Sequence, residues 1–178
     1  MNNTDRTKKW VEDFVIAYTL CPFAQTPYEA GQVRFCEIEE SDTAAILEAF
    51  WKEVEVIDSA DESEISTSIL VVPALSSSFE EYLDVIHMAT DLIEMQNKED
   101  KFQLASFHPA YLFEGTVESE PTNYTNRSPL PLIHIIRREE VARAIASHPD
   151  IDSVPIVNQE KMRDLGEEHL KANLESFK

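Results

Sequence analysis

Strands alternating with helices predict an α/β fold, with a mixed sheet of about four strands and helices packed on it. Three observations carry this. The elements run helix, strand–helix, strand–helix, strand, long loop, strand–helix, helix. The block Ile69-Leu70-Val71-Val72 is apolar without alternation, as expected of a strand covered on both faces. Each helical stretch carries one apolar stripe, so each has a single face to bury. A two-layer α+β sandwich with ferredoxin-like pairing is the alternative, because strand order is not readable from one sequence. The whole chain, 1–178, is expected to form one domain, with disordered ends at 1–6 and 175–178.

Taken in order, Trp10, Phe14, Ala17 and Tyr18 recur at helical spacing between Lys8 and Leu20. Pro22 ends that helix by disfavouring helical backbone in the residue before it, and Pro27 and Gly31 fit an irregular turn. Val33–Ile38 reads as a strand. Ser41 or Asp42 can cap the next helix, whose stripe is Ala45, Ile46, Ala49, Phe50, Val54 and Ile57. Asp58–Glu64 is an acidic loop, and Ser66–Val72 is a strand closed by Pro73. Ser76, Ser77 and Ser78 offer a cap for a helix with Tyr82, Leu83, Ile86, Ala89 and Ile93 inward. Phe102–His108 and Pro131–Arg137 are the remaining strands. A helix over Glu139–Ser147, with Val141, Ala144 and Ile145 inward, is followed by one around Met162, Leu165, His169 and Leu174.

Composition excludes several functions. Acidic residues outnumber basic ones 34 to 15, for a formal charge of −19. Nucleic acids and anionic membrane surfaces are bound through cations, so neither is an expected partner. The polar first residues lack a signal sequence, no apolar run is long enough to span a bilayer, and a cytoplasmic location is expected. Cys21 and Cys36 have no CxxC spacing and read as thiols. With three glycines in the chain, a glycine-built phosphate cradle is excluded.

Chemistry is expected around the loop that joins the last two strands. Loops beyond about a dozen residues without regular structure are usually functional or disordered, and Tyr111, Phe113 and Tyr124 supply anchors that a linker would lack. His108 ends one strand and His134 lies within the next. Together they could ligate a divalent or soft metal ion, or one could act as a general base. Between them Asn123, Tyr124, Asn126, Arg127 and Ser128 form a candidate substrate-binding loop, with Arg127 as an anion clamp. The bland reading of these residues is a loop held by its own side chains.

Cys21 opens the tetrapeptide Cys21-Pro22-Phe23-Ala24, which resembles the active-site motif of monothiol members of the thioredoxin superfamily. There the cysteine sits at a helix N-terminus, which stabilises its thiolate. Here the preceding residues read as a helix, so Cys21 is expected at a C-terminus, with little room for a further helix before Pro27. A buried, inert thiol is the competing reading.

The segments WVEDFVIAYTLCPFA, AGQVRF, FQLASFHPAYLFEGT and NYTNRSPLPLIHIIR resemble a bacterial family, domain of unknown function 1415, over about Thr7 to Leu170. The resemblance implies one intact domain and a motif set of Cys21, His108, Asn123, Asn126, Arg127 and His134. It implies no reaction.

The expected function is that of a small-molecule enzyme with a pocket of His108, His134 and Cys21. Either a metal on the histidines or a histidine-activated Cys21 or water would serve it. The rival is a non-catalytic ligand-binding or regulatory protein, and a monothiol redox protein is the third reading.

Overall fold

Alternation along the strands sorts the core into two clusters, one on each face of a single sheet. The computed structural model of the chain describes residues 1–147 and 150–177. Its regular elements are helix α1 (Asn3–Trp10), which runs on through a π-helical stretch at Val11–Ile16, then α2 (Gln25–Glu29), β1 (Val33–Glu37), α3 (Thr43–Ser59), β2 (Thr67–Val71) and α4 (Phe79–Met95). After these come β3 (Phe102–Phe107), β4 (Leu132–Arg137), α5 (Arg138–Ser147), α6 (Val154–Leu165) and α7 (Glu167–Glu175). The strands form one mixed sheet in the order β1-β2-β4-β3. β1 runs parallel to β2, and β4 is antiparallel to both β2 and β3. The expected α/β class is therefore the one observed, with helices on both faces rather than one.

The connections β1–α3–β2 and β2–α4–β3 travel in the same direction across the sheet. Right-handed crossovers then place α3 and α4 on the same face. They pack there: Ile46, Phe50, Val54 and Ile57 of α3 join Tyr82, Val85, Ala89 and Ile93 of α4 over Leu70, Phe102, Ile133 and Ile135. Asp42 caps α3 by accepting from the Ala44 and Ala45 amides, and Ser78 caps α4 through Glu81. The buried Glu53 of α3 is satisfied by Arg34 of β1 at 2.8 Å and Ser68 of β2 at 2.7 Å.

The other face is covered by segments distant in sequence. Trp10, Val11 and Phe14 meet Met162, Leu170, Leu174 and Phe177 over Ile69, Val71 and Leu132. Arg6 donates to the Phe177 carbonyl at 2.9 Å, so Asn3–Arg6 and Ser176–Phe177 take part in the fold where disordered ends were expected. Lys178 lies outside the described residues. The first helix starts at Asn3 instead of Lys8 because Asn2 caps it, accepting from the Asp5 amide. The helix expected near the C-terminal end of the sequence is two helices, broken at Gly166 with φ of 76°, a conformation that favours glycine. Ile145, expected inward, is exposed. Among the described residues no helix is long and apolar enough to cross a membrane.

Tyr82 ties the α4 layer to the sheet. Its hydroxyl donates to the Leu132 carbonyl at 2.6 Å and accepts from the Phe107 amide at 2.9 Å, closing the end of the β3–β4 ladder. Tyr82→Phe leaves both backbone groups unpaired in the core. It is expected to destabilise the protein by about 2–4 kcal/mol in urea unfolding, against less than ~1 kcal/mol for a Tyr18→Phe control, whose half-buried ring keeps its packing and loses one solvent-exposed bond to His169.

Candidate functional site

Register decides which of the sequence candidates meet. β3 pairs with β4 so that Ala105 faces His134 and Phe107 faces Leu132. Residues on one face therefore include Ala105, Phe107, Leu132 and His134, and His108, one step beyond Phe107, turns to the other face. His108 is buried against Phe79 and Tyr82 of α4, at ring distances of 5.3 and 5.0 Å. Its Nε2 donates to the Leu75 carbonyl at 3.1 Å, and its Nδ1 accepts from the Ala110 amide at 3.0 Å. Burial holds its pKa below the ordinary histidine value, partly offset by that carbonyl. Both ring nitrogens are occupied, and the sheet separates His108 from His134. The two histidines do not converge on a shared metal. Among the described residues no group of three or more His, Cys, Asp or Glu side chains is placed to hold a metal ion.

The loop between β3 and β4 is ordered by the side chains expected to bind substrate. Asn123 is fully buried, its Oδ1 accepting from the Phe113 amide and the Thr116 hydroxyl and its Nδ2 donating to the Val117 carbonyl. Arg127 donates to the carbonyls of Tyr111 and Glu118 at 3.1 and 2.9 Å, and stacks 4.6 Å over the Tyr124 ring. Asn126 donates to the Ser106 carbonyl, and Ser128 to that of Leu130. Tyr124 is buried in the second-face core. Four of these five residues hold backbone and Tyr124 packs in the core beneath Arg127, whose Nε and Nη2 are both engaged by carbonyls and leave no fork for an anion.

What the structure does bring together is Cys21 and His134, in a cavity of about 270 Å3 on the second face of the sheet. Its floor is Thr67, Ile69, Ala105, Phe107, Leu132, His134 and Ile136. One wall is Trp10, Val11 and Val15, with Cys21, Phe23, Ala24 and Pro27 beyond it, and the other is Glu140, Val141 and Ala144 of α5. The small Ala105 beside His134 and the small Ala144 above it leave the space open. The π-helical stretch, marked by Ala17 N–H to Glu12 O, forms the wall that carries Val11 and Val15. Such wide turns recur at functional sites.

Cys21 lies at the rim, where the residue is exposed. The preceding helix ends in a turn with Thr19 at φ of 52°, an uncommon conformation for a β-branched residue. Asn158 of α6 donates to the Leu20 carbonyl at 2.7 Å, and Lys161 donates to that of Tyr18. A new turn starts at Cys21 and leads into α2, so the space after Pro22 does admit a short helix, contrary to the expectation from Pro27. Although the residue as a whole is exposed, loss of water around its thiol raises the Cys21 pKa above the ordinary value, outweighing the amides of Phe23 and Ala24.

His134 is held through Thr67. The Thr67 hydroxyl lies 2.6 Å from the Ile135 carbonyl, so its only proton goes there, and it accepts from His134 Nε2 at 2.7 Å. That places the imidazole proton on Nε2 and leaves Nδ1 as an acceptor. Burial pushes the His134 pKa down to about 4. Glu140 accepts from the Ser66 hydroxyl at 2.6 Å; burial, then the nearby Glu62 carboxylate, raise its pKa against the pull of Ser66 and Arg143. Sequence reading missed Glu140, Thr67, Trp10 and the valines. The one available signal was Glu140 following His134 by six residues, across a strand-to-helix junction.

A family model described as a protein of unknown function (DUF1415) matches residues 2–172. Neither a curated protein nor a solved structure matches the chain significantly.

Two outcomes test this geometry. Asn123→Ala removes three bonds that fold the loop, and is expected to cost about 2–3 kcal/mol and to open residues 111–120 to limited proteolysis. His134 takes up a proton near pH 6.5 when unfolded but only near 4 when folded. Below pH 6.5 the unfolded state therefore binds more protons, and this contribution to stability is lost as pH falls towards 4. His134→Gln keeps a donor for Thr67 without titrating. Between pH 7 and 4 it is expected to lose on the order of 2–3 kcal/mol less stability than the parent in denaturant titrations.

Proposed function

The chain belongs to the DUF1415 family, and on that premise we propose that it is a small-molecule-binding protein whose ligand occupies the cavity over His134. One observation carries this reading. Native interiors close to the density of organic crystals, with few voids larger than a water molecule. Here a cleft of about 270 Å3, partly open to solvent at its rim, is left between well-packed layers, with apolar walls and a few polar groups on one side. That combination suits a compact apolar molecule with one polar end, near the lower size limit of ligand pockets.

A catalytic reading draws on Cys21 and His134 lining the same cavity. Against it, the Cys21 pKa is raised and the His134 pKa lowered, so the neutral thiol and neutral imidazole are favoured over a thiolate–imidazolium pair. Nucleophilic chemistry at Cys21 would need the ligand itself to change that balance. The same raised pKa weighs against a monothiol redox protein. We also place the protein in the cytoplasm, a reading supported by two free thiols, Cys21 and Cys36.

Filling the cavity tests the proposal. Ala105→Leu puts three heavy atoms into the open space beside His134. The variant is expected to match or exceed the parent in thermal stability, by up to about 2 kcal/mol, while losing the fragments that the parent binds in ligand-observed NMR. A parent that binds no fragment from a library of small apolar molecules with one polar group, or a filled variant that binds them equally well, would sink the reading.

A further inference from the structure

Resting on that reading, we propose that the preferred ligand is a small apolar amine in its protonated form, with the ammonium at Glu140 and the apolar body against Trp10 and Phe107. Two independent observations lead there. The first is the hydrogen-bond valence left in the cavity. The Ser66 proton goes to Glu140, the Thr67 proton to the Ile135 carbonyl and the His134 Nε2 proton to Thr67. The Trp10 indole N–H has no partner, and its nitrogen is buried, with next to no accessible surface. Apart from the weak Cys21 thiol, what the cavity offers is acceptors: His134 Nδ1, the hydroxyl lone pairs and the Glu140 carboxylate. An ammonium group brings three donors and no acceptor, so it matches this set, whereas a carboxylate or phosphate would meet none of its needs.

The second observation is charge. Among the described residues no Lys or Arg lines the cavity. Arg143, one turn along α5 from Glu139, is the nearby cation, and it is already paired with both Glu62 and Glu139. Three carboxylates, Glu62, Glu139 and Glu140, thus crowd one guanidinium, and Glu140, which faces the cavity beside Glu62, has no ion pair of its own among the described residues. A cation beside it would restore what burial has removed. The net charge of −19 would also draw such a ligand in, and the aromatic faces of Trp10, Phe23 and Phe107 tolerate a neighbouring cation.

Matched probes read this directly. For a phenyl body, 2-phenylethylamine, 2-phenylethanol and phenylacetate carry a cation, a neutral hydroxyl and an anion; butylamine, butanol and butyrate repeat the series without the ring. Calorimetry or NMR titration at pH 7 is expected to rank amine over alcohol by about tenfold or more, with no binding of the acids. Glu140→Gln, checked for unchanged melting, is expected to bring the amine down to the alcohol while leaving the alcohol where it was. Equal affinity of amine and alcohol, tighter binding of the acids, or an amine preference that survives Glu140→Gln would overturn the amine assignment and leave the cavity reading standing. Absence of binding by every probe would overturn both.

Discussion

The central strand β2 is buried along its whole length, and that single demand organises the rest. Thr67, Ile69 and Val71 point to one face and Ser68 and Leu70 to the other, so each face needs its own cover. The crossover helices α3 and α4 supply one cover at no topological expense, because right-handed connections deliver them to the same side. The other face has no crossover helix. It is closed by α1 and its π-helical extension, the β3–β4 loop, and α6 and α7. A cover assembled from so many pieces fits less completely than a pair of parallel helices, and the gap falls over His134.

That gap has a polar character set by the strands beneath it. The hydroxyls of Ser66 and Thr67 each send their proton into the protein, and Thr67 thereby fixes the tautomer of His134. An apolar enclosure then keeps the imidazole neutral and the Glu140 carboxylate short of solvation. Neither effect comes from a residue with an unusual side chain. Both come from removing water around ordinary groups whose donors are already engaged.

The sheet and its layers were largely legible in the sequence, because uninterrupted Ile69-Leu70-Val71-Val72 and the stripes of α3 and α4 follow directly from burial. Asp42 and Ser78 were legible as caps for the same local reason. The site was legible only in part. Cys21 and His134 were singled out and do share a cavity, but whether His108 joins them depends on the β3–β4 register, which no local pattern encodes. One step past Phe107 sends it to the opposite face. Asn123 and Arg127 illustrate a second limit: an amide or guanidinium that grips a ligand looks, in sequence, the same as one that grips a carbonyl in its own loop. The π-helical widening at Val11–Ile16, which shapes the cavity wall, has no residue signature at all.

Asn158 and Lys161 of α6 hold the carbonyls of Leu20 and Tyr18, at the strained turn that carries Cys21 to the cavity rim. This contact spans 138 and 143 residues of sequence. During synthesis the β1–α3–β2–α4 layer can assemble from neighbours, whereas the turn at Thr19, held locally by the backbone bonds Thr19 to Ile16 and Leu20 to Val15, takes its side-chain clamps from α6. Those clamps must wait until Asn158 and Lys161 have been made, since loop closure over that distance precedes any reward from the contacts. The rim of the cavity thus gains its clamps from α6 late, and a nascent chain would expose Trp10, Phe14 and the open sheet face in the interval. Errors late in folding would be felt first as a misshapen pocket on an otherwise intact sheet.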